Sequence, residues 1–177
     1  MVRGDGAHGH VGGESVQHVL LARAWRDLGW DVSMIVYALG QPHVTTVDGI
    51  RAVTAFAPEA GLRVARFVHP RITGLLRAMR EVDADVYYQS PASGWSGLVV
   101  WFSRRFNKRS IIRIASDIDC IRGKQAIRYR RDRWLFEYAL QNASLVAPQT
   151  RKQQHLLSSH YGIQGQIVNL AMDTSPS

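Results

Sequence analysis

The chain has 177 residues, 46% hydrophobic and 20% charged, with a formal net charge of +8 from 22 Lys and Arg against 14 Asp and Glu. That length suits one domain able to bury about 70% of the surface its unfolded chain exposes, without disulfide or metal staples. The composition excludes a disordered tail, a collagen-like repeat and a coiled coil, and the single Cys120 excludes an internal disulfide framework.

In chain order, Met1-Val2-Arg3-Gly4-Asp5-Gly6 lacks the apolar region of a signal peptide. The glycines at 4, 6, 9, 12 and 13 lead into a helix expected over Glu14 to Leu28, with Val16, Val19, Leu20 and Ala24 on one stripe and Gly29 as its stop. A β-branched run over Asp31 to Tyr37 predicts a strand, and Gly49 to Val53 the next. Leu62 to Glu81 is helical in composition, and Pro70 predicts two pieces, with the proline in the first turn of the second.

The second half repeats one rhythm. Strands are expected at Asp85 to Tyr88, Ser110 to Ala115 and Ser144 to Ala147, and helices at Gly94 to Phe106, Ile127 to Asn142 and Thr150 to His160. Strands alternating with helices of this length predict βαβ units, an α/β fold with a Rossmann-like parallel sheet and helices on both faces. Such sheets bind ligands beyond the carboxyl ends of their strands, so residues 89–93, 116–120 and 148–150 are the candidate positions. A strand is also expected before the first helix, where only Met1-Val2-Arg3 precede the glycines, and 166–170 begins a new apolar run. The expected organisation is one domain over residues 1–165 and the start of a linker over 166–177. The longest apolar stretch, Trp95 to Phe102, is too short to cross a bilayer. A cytoplasmic domain is expected.

The candidate chemistry is polar rather than acid–base. Gly12, Gly13 and Glu14 stand where backbone N–H groups and a helix N-terminus favour a phosphate. Gly4-Asp5-Gly6-Ala7-His8-Gly9 matches the dinucleotide pattern in spelling but lacks the strand before it and the helix after it. His8, His10 and His18 lack the spacing of a metal site. Asp117 and Asp119 follow a strand and would reach the crevice, to hold a divalent ion, to orient hydroxyls, or to serve only as a helix N-terminal cap with polar turn residues. Cys120 beside them reads as a buried inert thiol. Arg122, Lys124, Arg128, Arg130, Arg131 and Arg133, followed by Trp134, read either as a solvated helix face or as a patch for an anionic surface.

These residues carry a resemblance. Gly12-Gly13-Glu14-Ser15-Val16-Gln17, followed by Leu28-Gly29-Trp30-Asp31-Val32, resembles the opening of family 4 (group 1) glycosyltransferases. Val47-Asp48-Gly49-Ile50-Arg51, Asp85-Val86-Tyr87-Tyr88-Gln89, Ser116 to Cys120, Arg133 to Tyr138, Ala143 to Val146, Gln149-Thr150 and Ile167-Val168-Asn169 are similar to successive segments of that family, with Asp173 at its final aspartate. The resemblance covers nearly the whole chain and rests on the order of the motifs.

It implies the N-terminal, acceptor-side half of a GT-B enzyme, with retaining, hexosyltransferase-type chemistry, a nucleotide-sugar donor, a sugar or lipid-linked acceptor, and no cofactor or metal. By the same resemblance Gly12, Gly13 and Glu14 would form the cleft loop that meets the donor phosphates or the acceptor, Gln89, Ser116, Asp117 and Asp119 would line the acceptor side, and Gln149 and Thr150 the inter-domain edge. No catalytic residue is assigned; the donor-binding C-terminal domain is not in this sequence, and the chain alone is expected to be inactive. Arg128, Arg130, Arg131 and Trp134 are expected to meet an anionic membrane surface, which would make the chain peripheral on the inner face, or a phosphorylated lipid-linked acceptor. A non-catalytic partner subunit or membrane-docking scaffold is the alternative. Nucleic acid is not an expected partner, because no recognised nucleic-acid fold or interleaved base-reading pattern is present.

Overall fold

The computed structural model describes residues 13–61 and 67–168, which fall into two compact units, 13–83 and 84–168. Both are α/β. The glycine loop through Gly12, the strand expected before it and residues 169–177 lie outside the described residues.

In the first unit, helix α1 (Gly13–Asp27) leads to strand β1 (Ser33–Val36), which pairs in parallel with β3 (Ile50–Thr54). Between them in the chain comes an additional strand, β2 (Val44–Val47), which pairs antiparallel on the other side of β3, giving the order β1-β3-β2. This antiparallel strand is not among those the sequence predicts. The cause is local: Asp48 and Gly49 both take positive φ (51° and 75°), the two-residue turn whose twist suits a hairpin. The turn is anchored from α1, where Arg23 pairs with the Asp48 carboxylate at 2.7 Å and Arg26 donates to the Asp48 carbonyl.

Helix α2 (Thr73–Val82) buries Leu75, Ala78 and Met79, one stripe at helical spacing. Pro70 is not in its first turn, as expected, but three residues upstream in a kinked stretch, where His69 is extended (φ −129°, ψ 126°). A residue before proline is pushed out of the helical region by the ring. His43 joins these elements: its Nδ1 lies 2.8 Å from Thr54 Oγ1 and its Nε2 2.8 Å from Glu81 Oε2, while Arg51 reaches the other Glu81 oxygen at 3.2 Å.

The second unit runs β4 (Val86–Gln89), α3 (Gly94–Arg105), β5 (Arg109–Arg113), α4 (Arg130–Asn142), β6 (Leu145–Ala147) and α5 (Arg151–Tyr161). Its sheet is parallel throughout, with β5 central: Gln89 pairs with Ile112, and Arg113 with Ala147. The core gathers Val100, Ile112, Ile114, Phe136, Leu140 and Leu157. Helices α3 and α4 make the most extensive helix–helix contact, because a Cβ at Gly97 would stand 2.5 Å from the Leu135 carbonyl oxygen.

Two boundaries differ from expectation. Helix α4 begins at Arg130 rather than Ile127, so Arg122, Lys124 and Arg128 sit on the segment before it and not on a helix face. Residues 166–168, expected to open a linker, are instead held against β6: Gln166 N–H donates to the Val146 carbonyl at 3.0 Å and Val168 N–H to the Pro148 carbonyl at 2.9 Å. Pro148 has no N–H to return, so the pairing runs in one direction there. Gly165 allows the approach, since a Cβ there would lie 2.6 Å from the Pro148 ring.

Gly97→Ala is expected to cost about 1–3 kcal/mol, the range for overpacking against a rigid neighbour. Urea unfolding of the two proteins checks this, and equal midpoints would refute it.

Candidate functional site

Because β4, β5 and β6 are parallel and in register, the segments that follow them leave the sheet at one edge. Gln89 ends β4, Ser116 lies three residues past β5, and Gln149 two past β6. Gln89 and Asp117 therefore share this edge, as expected. The pairing with Gly12 falls outside the described residues, and Gly13 and Glu14 are the first two residues of α1.

Most of the polar groups at the edge bond one another. Ser96, in the first turn of α3, donates its hydroxyl to Gln89 Oε1 at 2.5 Å and accepts from Ser93 N–H at 3.3 Å. Gln149 Nε2 donates to the Ile114 carbonyl at 2.6 Å, tying the segment after β6 to the segment after β5. Thr150 caps α5, its hydroxyl oxygen accepting from Gln153 N–H at 3.1 Å. Gln153 returns its side-chain oxygen to Gln149 N–H at 2.8 Å, a capping box displaced by one residue. Ser116 and Thr150 are exposed, and Gln89, Asp117 and Gln149 are half-buried.

The two aspartates part company. Residues 117–120 form a single tight turn of three residues per turn, so side chains two positions apart diverge instead of sharing a face. Asp117 turns out to Lys152 Nζ at 2.7 Å. Asp119 is buried at 5% exposure, so the expectation that both carboxylates reach the crevice is corrected. Cys120 is fully buried, and burial together with the charges of Asp119 and Asp117 pushes its thiol up to about 12.

The Lys152 ammonium, with a hydrogen bond from Gln153, holds the Asp117 carboxyl below its ordinary 3.8, and the same pair raises Lys152 above 10.5. The depressed carboxyl contributes stability that is fully present above 3.8 and is lost as pH falls through its lowered value. The raised ammonium contributes stability fully present below 10.5 and lost as pH rises through its raised value.

Three residues at this edge escaped the sequence reading. Lys152 and Gln153 fix Asp117 and Gln149, and Thr150-x-x-Gln153 carried the capping-box signal. Arg113, at the end of β5, is a buried guanidinium at 4% exposure. A shallow depression of about 350 Å³ lies on the outer face of α5, lined by Arg151, Gln154, His155, Ser158 and Gln164, none of them among the expected site residues. Among the described residues no group of three His, Cys, Asp or Glu stands together as a metal site would need.

Charge is unevenly shared between the units. Residues 84–168 hold 13 Lys and Arg against 5 Asp and Glu, whereas the described residues of the first unit hold 6 against 7. Arg128, Arg130, Arg131 and Trp134 are all exposed. Among the described residues no helix is long and apolar enough to cross a membrane.

No family model matches the chain, and no curated protein matches it.

Lys152→Met is expected to return the Asp117 titration towards 3.8, with the Gln153 hydrogen bond holding the remainder; carboxyl-detected NMR measures it, and an unmoved titration would remove Lys152 as the cause. Cys120 is expected to resist thiol reagents at pH 8 in the folded protein. Its thiolate fraction there is on the order of a thousandfold below that of an unfolded cysteine. Equal labelling rates in buffer and in denaturant would contradict this.

Proposed function

We propose that this chain is the acceptor-side domain of a glycosyltransferase of family 4, in which a sugar passes from a nucleotide-sugar donor to a hydroxyl-bearing acceptor. The observation that carries the reading is the polar edge of the parallel sheet, where the segments after β4, β5 and β6 emerge together. A sugar presents several hydroxyls at fixed angles and is recognised by short, neutral donors and acceptors held in place. Gln89, Ser116 and Thr150 are of that kind, and the Gln149–Ile114 and Gln153–Gln149 bonds fix the backbone that carries the last two. The order of motifs along the chain supports the same family.

In this reading Gln89 and Ser116 contact the acceptor, and Asp117, already held by Lys152, orients one further hydroxyl. Gln149 and Gln153 are positioning residues. Gly12, Gly13 and Glu14 belong to the donor-phosphate loop. Donor binding rests mainly with a second Rossmann-like domain, no metal or cofactor takes part, and this chain by itself transfers no sugar. The rival reading, a non-catalytic docking subunit, draws on the basic surface of residues 84–168 and requires no sugar at the sheet edge.

The two readings separate in solution. Saturation-transfer NMR on the purified chain, with a panel of methyl glycosides and with UDP-, GDP- and ADP-sugars, is expected to show saturation of at least one glycoside. The signal is expected to fall severalfold in Ser116→Ala, which removes one exposed hydroxyl and leaves the fold intact by circular dichroism. Absence of saturation across the panel, or saturation unchanged in Ser116→Ala and Gln89→Ala, would overturn the acceptor assignment.

A further inference from the structure

We propose that the depression on the outer face of α5 binds a small soluble phosphate monoester, with Arg151, His155 and Ser158 on the phosphoryl oxygens and Gln164 beside the organic part. The site is separate from the sheet edge and independent of whether the chain handles sugar.

The depression is built by the helix and by the segment that returns along it. Helix α5 turns Gln153, Leu157 and Tyr161 into the core. At about 100° per residue, Arg151, His155 and Ser158 fall within about 60° of one another, on the side turned away from that stripe. The opposite wall is fastened down. Ile163 N–H donates to the Leu157 carbonyl at 3.3 Å and the Gln154 side chain to the Gly165 carbonyl at 2.7 Å, which leaves Gln164 between the two fastenings. The space of about 350 Å³ that these five polar side chains line is within the range that holds small ligands.

Its polar groups are uncommitted. At the sheet edge the side chains bond one another and the backbone, as Gln153 does with Gln149. In the depression the side chains of Arg151, His155, Ser158 and Gln164 make no hydrogen bond or ion pair among the described residues. No carboxylate lines it, and from Tyr138 to Met172 the chain carries no Asp or Glu. The first turn of α5 likewise has no acid, although negative charge is favoured there by the helix dipole. Lys152 is answered by Asp117; Arg151 beside it has no such partner among the described residues. An anion bound from solution supplies the charge that this helix lacks.

The donor set selects the anion. Arg151 offers a planar fork, His155 a ring N–H and Ser158 a hydroxyl, from separate points along two turns of helix. Donors spread in this way suit the three oxygens of a tetrahedral phosphoryl group, whereas a carboxylate has two oxygens in one plane, which the guanidinium fork satisfies alone. The space is larger than a phosphoryl group, and Gln154 and Gln164, which line the rest, are neutral and polar. The group carried is therefore short and hydroxylated.

The test is NMR titration of the whole chain at fixed ionic strength with glycerol 3-phosphate, inorganic phosphate, malonate and glycerol. Saturable shifts are expected with millimolar glycerol 3-phosphate on the amides of residues 151–158 and 164 and on the His155 ring, weaker ones with inorganic phosphate, and none with glycerol. Arg151→Gln is expected to weaken binding about tenfold, the loss of one hydrogen bond to a charged group, and His155→Gln severalfold. Arg128→Gln and His160→Gln remove the same side chains elsewhere on this unit and should bind like the parent. All four positions are exposed, and circular dichroism checks each fold. Binding reduced as much by Arg128→Gln as by Arg151→Gln is diffuse charge attraction and overturns the site. Inorganic phosphate binding as tightly as the ester, or malonate binding more tightly than either, overturns the ligand. Shifts centred on Gln89 and Ser116, or no saturable shift at all, overturn the proposal outright.

Discussion

Strand β5 is hydrogen bonded on both sides by parallel neighbours, so β4, β5 and β6 must all release their chains at the same edge. From that constraint follow the meeting of Gln149 with the Ile114 carbonyl and the reach of Lys152 to Asp117, pairs separated by 35 residues along the chain. Neither pair has any reason to meet except that β5 and β6 lie side by side in one register. The capping of α5 by Thr150 then fixes Gln153, which returns a bond to the backbone just before the cap. A polar edge built this way is rigid before any ligand arrives, and preorganisation lowers the cost of binding small polar molecules.

The parts of the fold legible in the sequence were those written in local pattern. Strands β4 and β6 and helices α3 and α5 stand close to their expected bounds, because each is a short apolar run or a periodic stripe between clear stops. Strand β2 does not belong to the strand–helix rhythm, and its signal is local: Asp48-Gly49 between β-branched residues is a hairpin turn. The sequence pattern puts the start of α4 three residues early because Ile127 looks like the first residue of an apolar stripe. Ile127 is indeed buried, but from the irregular segment before the helix. The fate of Asp119 was hidden for a different reason, since only the tight turn over 117–120 decides which of two nearby carboxylates faces out. Of the candidate site, the positions were legible and the partnerships were not.

Two kinds of charge coexist in the second unit. Arg113 and Asp119 are buried, in an interior where a charge persists only among compensating polar groups. Arg122, Lys124, Arg128, Arg130 and Arg131 are exposed, where water screens them and their effect on stability is small. The near-neutral first unit shows that the excess is not a general feature of the composition.

The seating of residues 163–168 has a mechanical side. The segment is fastened by Ile163 N–H to the Leu157 carbonyl, by the Gln154 side chain to the Gly165 carbonyl, and by the amides of Gln166 and Val168 to the edge of β6. The proline at 148 leaves that edge without a return bond, so a pull applied beyond residue 168 and directed away from the sheet would load these fastenings one after another, starting with Val168. A pull along the strand would load the Gln166 and Val168 bonds together. The same segment therefore yields like a zipper in one direction and resists like a splice in the other.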